Sequence, residues 1–142
     1  ETTDVKVISD EINPEEEESD FQLGNLEHLT IPEGVEVYEI DGPFFFGLAS
    51  KIDEFDRFRG EKLKVRVIRM RRVPFIDSTG LNNLRNLYLR SKKEGIRMVL
   101  SGVTEKVHAS IRKSGFAAEI GEENILPHIT PAMKRAKELL DE

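Results

Sequence analysis

A short polar turn, Asp77-Ser78-Thr79-Gly80, stands between an extended apolar stretch and a helical one, and it constrains the fold more than any other segment. Ahead of it, Leu63 to Ile68 is rich in β-branched residues, and Val73-Pro74-Phe75-Ile76 leads straight into the turn. Behind it, Leu81, Leu84, Leu87 and Tyr88 recur at three- and four-residue intervals, the period of a helix with one buried face. Gly95 ends that helix, and Ile96-Arg97-Met98-Val99-Leu100 reads as the next strand. Strand, turn, helix and strand make a βαβ unit, whose strands lie parallel and whose helix must cover the sheet.

The flanking segments extend this pattern. Val35-Glu36-Val37-Tyr38-Glu39-Ile40 alternates as a half-buried strand, and Asp41-Gly42-Pro43 is a turn before a second extended run, Phe44 to Phe46, which together predict a hairpin. Ser50 with Asp53 three residues on has the spacing of a capping box for a helix from about Ser50 to Arg59, with Ile52, Phe55 and Phe58 inward and Gly60 as its stop. Thr104 can cap a further helix with Val107 and Ile111 inward, closed by Gly115. Phe116 to Ile120 reads as a short last strand, and Thr130-Pro131 opens a terminal helix that buries Met133, Ala136 and Leu140. The expected fold is α/β: a mixed, mostly parallel sheet of about four to five strands, packed with about four α-helices.

Charge divides the chain. Residues 1–30 hold ten acids and one base, including the run Glu15-Glu16-Glu17-Glu18, and few large apolar residues, so they read as an acidic linker or arm. Within it, Val5-Lys6-Val7-Ile8 has the composition of a short added strand, although a flexible tail suits the segment better. The net charge of -6 leaves residues 31–142 only mildly basic, short of the basic stripe of a DNA-binding domain, and no nucleic-acid partner is expected. With no cysteine, thiolate metal sites and cysteine nucleophiles are excluded, and the three histidines have no metal-ligand spacing. Metal and cofactor sites are therefore not expected. The longest mostly apolar run, Pro43 to Ala49, is far shorter than the ~20 residues that span a bilayer. The chain begins at Glu1 without a methionine or a signal-peptide pattern, which is the mark of a processed chain or an excised fragment.

Candidate functional residues gather around the polar turn. In α/β sheets, ligands and partners meet the fold where a strand end gives way to a helix start. The unpaired N–H groups and partial positive charge of that start favour an anion on Ser78 or Thr79, so the turn is a candidate phosphorylation or anion site. The plainer reading is that Asp77 or Ser78 caps the helix and Gly80 permits close packing. A hydrolase nucleophile at Ser78 is disfavoured, because the turn does not match GxSxG and neither His108 nor His128 is placed beside it. Phosphate loops of the GxxxxGK[ST] and GxGxxG types are absent from the sequence.

Two further clusters qualify as interface candidates. Lys62, Lys64, Arg66, Arg69, Arg71 and Arg72 put six cations within eleven residues. They form either a solvated strand face or a patch for anionic lipid, an acidic partner or the chain's own acidic arm, with Arg69, Arg71 and Arg72 nearest the turn. In the run Phe44-Phe45-Phe46, at least one ring must point away from the core, so it is covered by a helix or belongs to an interface.

The order of elements, the Gly-Pro-aromatic segment Asp41-Gly42-Pro43-Phe44-Phe45-Phe46-Gly47 and Val73-Pro74-Phe75-Ile76-Asp77-Ser78-Thr79-Gly80-Leu81 together resemble a STAS domain. This module is shared by sulfate transporters and anti-sigma factor antagonists, and the likeness runs from about Ile31 to Leu140. The aromatic segment and the acidic lead-in are most similar to the sulfate permease (SulP) branch, and the direct passage from Gly60 to the next strand resembles its bacterial members. The resemblance implies a non-enzymatic, cytoplasmic C-terminal domain that follows membrane helices at the inner membrane and regulates an anion transporter. Its implied partners are the transporter's own membrane domain, a second copy in a homodimer and a cytosolic regulatory protein. In the antagonists the serine after Asp in this turn is phosphorylated, and Ser78 holds that position. The second reading is accordingly a free-standing antagonist controlled at Ser78.

Overall fold

A computed structural model of the chain describes residues 5–7, 11–12, 29–43, 45–57 and 62–142. The strands are β1 (Val5–Val7), β2 (Glu11–Ile12), β3 (Leu29–Thr30), β4 (Val35–Asp41), β5 (Val65–Arg72) and β6 (Arg97–Ser101). The helices are α1 (Leu48–Arg57), α2 (Ser78–Lys93), α3 (Glu105–Ser114), α4 (Phe116–Ile120) and α5 (Ile129–Leu140), with a 3-10 turn at Glu122–Asn124. The main sheet has the order β1-β4-β5-β6; β4, β5 and β6 run parallel, while β1 pairs antiparallel with β4 at the edge. β2 and β3 form a separate two-stranded antiparallel ribbon.

Strand periodicity builds two cores, one on each face of the sheet. Even-numbered residues Tyr38, Ile40, Ile68, Met70, Met98 and Leu100 join Leu48 and Ile52 of α1, Leu84 and Leu87 of α2 and Val107 and Ile111 of α3 in one buried cluster. Odd-numbered Val35, Val37, Val65, Val67 and Val99 pack against Ile129, Ala132, Met133, Ala136 and Leu139 of α5. Both faces are thus covered, as a parallel sheet requires. Leu140 lies beside Gly34, and Arg97 Nη1 meets Glu142 Oε1 at 3.1 Å, so α5 runs antiparallel to the strands and ends at their N-terminal side.

Several expectations need correction. Among the described residues there is no second hairpin strand: Phe45 and Phe46 lie in a loop and turn ahead of α1, and the antiparallel partner of β4 is β1. Phe44, Phe58 and Gly60 lie outside the described residues, as does most of the acidic arm. The edge strand Val5–Val7 is formed within that arm. Phe116–Ile120 is helical, because the left-handed Gly115 (φ 91°) turns the chain directly from α3 into α4 and buries Phe116, Ala117 and Ile120. α1 starts at Leu48, two residues before the proposed Ser50 cap, and α5 starts at Ile129, which places Thr130 inside its first turn with His128 at the cap position. Phe55 is 40% exposed rather than buried, and touches the Tyr38 ring edge-on at 6.3 Å between centroids.

The basic stretch is a solvated face only in part: Lys62, Lys64 and Arg72 are exposed, whereas Arg66 and Arg69 within the strand are not. Arg66 and Arg69 are buried on opposite sides of β5. On the α1/α2 side, Arg66 Nη1 donates to Ser91 Oγ of α2 at 2.6 Å, and its Nη2 stands 3.5 Å from Asp56 Oδ2 of α1. On the α5 side, buried Glu39 lies 3.6 Å from Arg69 Nη1, 3.3 Å from Arg71 Nη2 and 3.0 Å from Arg72 Nε. A charge sealed from water needs a counter-charge, and Glu39 supplies one from the adjacent strand, directly opposite Arg69 in the β4–β5 register. Glu39→Gln is expected to lower the unfolding free energy by about 3 kcal/mol in urea denaturation. A change below about 0.5 kcal/mol would show that this pair does not hold β4 to β5.

Candidate interaction surface at the Asp77–Gly80 turn

β5 ends at Arg72, and residues 73–77 cross to α2 without regular structure. Val73 and Ile76 are buried in the larger core, whereas Pro74 and Phe75 face outward, Phe75 at 42% exposure. Asp77 has the extended backbone of an N-cap (φ -104°, ψ -173°), and its Oδ1 accepts from the Gly80 N–H at 2.9 Å. Its carbonyl accepts from Leu81 N–H at 2.9 Å, which closes the first turn of the helix. Capping thus falls to Asp77, and the Ser78 and Thr79 side chains remain exposed. Their backbone N–H groups are the first two of the helix and point out of its open end, where negative charge is favoured.

Gly80 fixes the aromatic loop beside this turn. A Cβ at residue 80 would lie 2.3 Å from the Pro43 carbonyl oxygen and 2.9 Å from Ile76 Cγ1. Pro43 and Phe45 therefore rest directly on the start of α2. Phe45, the non-glycine residue described with positive φ (62°), turns its ring into the core, while Phe46 is 58% exposed. The exposed aromatic surface consequently comes from Phe46 and Phe75, on segments that both pack against the start of α2.

Beyond the turn, the exposed residues at the start of α2 are Ser78, Thr79 and Asn82, followed by Arg85 and Asn86, and its first seven residues, Ser78 to Leu84, hold no charge. Charge depletion around aromatic side chains is the composition of an interface centre. A cavity of about 340 Å³ flanks this surface between the start of α1 and the middle of α2, with Phe46, Ser50, Asn83, Asn86 and Arg90 on its walls. Arg90 is paired with Asp53 of α1, which ties the two helices together at the cavity.

The other sequence candidates separate by burial. Arg69 is enclosed on Glu39, Arg71 is largely covered, and Arg72 has a half-exposed side chain. His108 Nε2 lies 3.0 Å from Glu122 Oε1, and Arg112 holds the same carboxylate. That Arg112 hydrogen bond is the chief reason the Glu122 carboxyl titrates below its ordinary range. His128 sits at the start of α5, on the opposite face of the sheet from α2. Neither histidine among the described residues, His108 or His128, is thus placed as a general base for Ser78. Among the described residues no group of three His, Asp or Glu side chains is placed to hold a metal ion, and no helix is long and apolar enough to cross a membrane.

The family model of the STAS domain matches residues 28–134. A sulfate transporter family protein from Wolinella succinogenes is 39% identical, with a TM-score of 0.71 over 80% of this chain and 93% of that one. The chain is a STAS domain of the sulfate transporter family. The STAS domain of a SulP transporter from Vibrio cholerae is 29% identical, with a TM-score of 0.70 over 79% of this chain and 88% of its own. Sulfate transporter 4.1, chloroplastic, from Arabidopsis thaliana is 27% identical over 103 residues, 63% of this chain. The chain spans about 15% of the length of that curated relative.

The contact between Gly80 and Pro43 was not legible from spacing alone, although the close-packing role of Gly80 was. Gly80→Ala is expected to lower stability by about 1–3 kcal/mol, because the obstacle is a backbone carbonyl and not a flexible side chain. Thermal unfolding should show a loss of several degrees, and an unchanged melting temperature would mean that the Pro43 loop does not rest on α2.

Proposed function

We propose that this STAS domain is the cytoplasmic, non-enzymatic regulatory module of a SulP-type secondary anion transporter, and that the Asp77–Gly80 turn with Phe46 and Phe75 is its contact surface. The observation that carries the reading is the exposed, uncharged start of α2 flanked by two solvent-facing rings on a chain of which 34% is charged. Such a surface suits a protein partner better than solvent. Its most direct partner is the membrane domain of the same transporter, with a second copy or a cytosolic regulatory protein as the other candidates for the surface. The sulfate transporter names of the relatives support a sulfate-like anion as the cargo of the whole protein.

Ser78 is the residue at which this surface can be switched. Its side chain is exposed at a helix N-terminus, where a phosphate or a carboxylate is accommodated without disturbing the core. The corresponding test is Ser78→Glu, compared with Ser78→Ala. The glutamate variant should keep the melting temperature of the isolated chain within about 2 °C and change sulfate uptake by the full-length transporter in vesicles at least about threefold. Unaltered uptake in both variants would remove the turn from regulation. An unfolded glutamate variant would contradict the placement of Ser78 on an open helix end.

A further inference from the structure

The β6 edge of the sheet is only partly covered. At its C-terminal half, Ile125 makes a parallel bridge with Leu100, and Leu126 N–H donates to the Leu100 carbonyl at 2.8 Å. The chain has thereby added a minimal strand to its own sheet. Nearer the start of β6 it does not do so, because the preceding residues form the 3-10 turn Glu122–Asn124. Arg97 N–H donates to the Lys64 carbonyl at 2.9 Å, so the peptide groups of Arg97 and Val99 point towards β5. Strand alternation then directs the Met98 N–H and C=O outward, as it directs those of Leu100.

A cavity of about 350 Å³ opens at this place, between the start of β6, the end of α2 and α4. Ile96, Met98 and Ile120 supply its apolar surface, while Lys92 and Glu123 bring opposite charges to it. Of the charged groups nearby, Arg97 is paired with Glu142, Glu119 with Arg85 at 2.7 Å, and the largely exposed Glu123 stands 4.0 Å from Arg135 at the edge of ion-pair range. Met98 is 2% exposed, so an outward peptide group there is nearly withdrawn from water, a costly state unless a partner supplies hydrogen bonds.

We propose that this cavity receives an extended peptide segment of a partner protein, about two to three residues long, which adds to the sheet by pairing with the Met98 peptide group. The bridge at Leu100 shows that this edge accepts a parallel strand, and the guest continues that pairing towards Arg97. One apolar side chain of the guest rests on Ile96, Met98 and Ile120. An acidic residue faces Lys92 and a basic residue faces Glu123, so the two walls select a segment with both signs. The volume lies at the lower end of the ~300–1,000 Å³ range of binding pockets, which suits a short segment better than a folded domain.

The test is an NMR titration of the ¹⁵N-labelled chain with capped hexapeptides in which valine alternates with each combination of lysine and glutamate. At least one member should shift the Met98 and Ile120 amides and slow hydrogen exchange at Met98 about tenfold or more, at concentrations up to about 1 mM. The same peptide with its central backbone amide N-methylated should lose that protection. Glu123→Lys, at a largely exposed side chain, should weaken the lysine-bearing peptide about fivefold. The proposal is overturned if no peptide in the set shifts these amides. It is also overturned if the N-methylated peptide binds equally, since recognition would then not be strand addition. Protection of Met98 that rises with the concentration of the chain alone would assign the edge to a second copy, and would likewise overturn it.

Discussion

Burial of the central strand on both faces is the constraint from which the rest of this structure follows. β5 hydrogen-bonds β4 on one side and β6 on the other, and every residue from Val65 to Met70 is buried. Two of these are arginines. Arg66 is tied to α1 and α2 through Asp56 and Ser91, and Arg69 is tied to β4 through Glu39. Since an isolated charge cannot be buried at acceptable cost, each arginine specifies which elements lie next to β5 and in what register. Apolar packing alone would tolerate small slips that these paired charges do not.

Fixing β5 in turn fixes the turn that leaves it. Val73 and Ile76 hold the crossover in the core, Asp77 closes the first turn of α2, and Gly80 receives the Pro43 carbonyl at a distance no side chain would allow. The surface made by Phe46, Phe75, Ser78 and Thr79 is therefore displayed by rigid neighbours. Rigid display reduces the ordering cost of binding, which suits a contact surface. Under the proposed function it would also separate regulation from stability, since a charge added at the exposed hydroxyls leaves the core beneath them packed.

Much of this was legible in the sequence, and the parts that were not share a physical reason. Helical periodicity after the turn identified α2 and its buried Leu84 and Leu87, and Thr104 with Gly115 marked both ends of α3. Caps and periodicity are local, and so survive without knowledge of the fold. The hairpin at Phe44–Phe46 failed because the pairing partner of β4 lies some thirty residues upstream, at Val5–Val7. Phe116–Ile120 was read as a strand because a five-residue apolar stretch has no decisive period, and packing beside α3 settled it as a helix. The arginines of β5 looked solvated because their counter-charges, Glu39 and Asp56, come from other elements. The turn itself was placed correctly at the start of α2, while the contribution of Phe75 was hidden by reading residues 73–76 as a continuing strand.

The central claim is that the Asp77–Gly80 surface contacts another protein surface in the transporter. Its most direct measurement is site-specific photo-crosslinking in the full-length protein within native membranes, with the crosslinker at position 75 and a control at Lys137 on the exposed side of α5. The account predicts a defined crosslink from position 75 to the membrane domain or to a bound protein, and none from position 137. Equal or absent crosslinking at the two positions would contradict it.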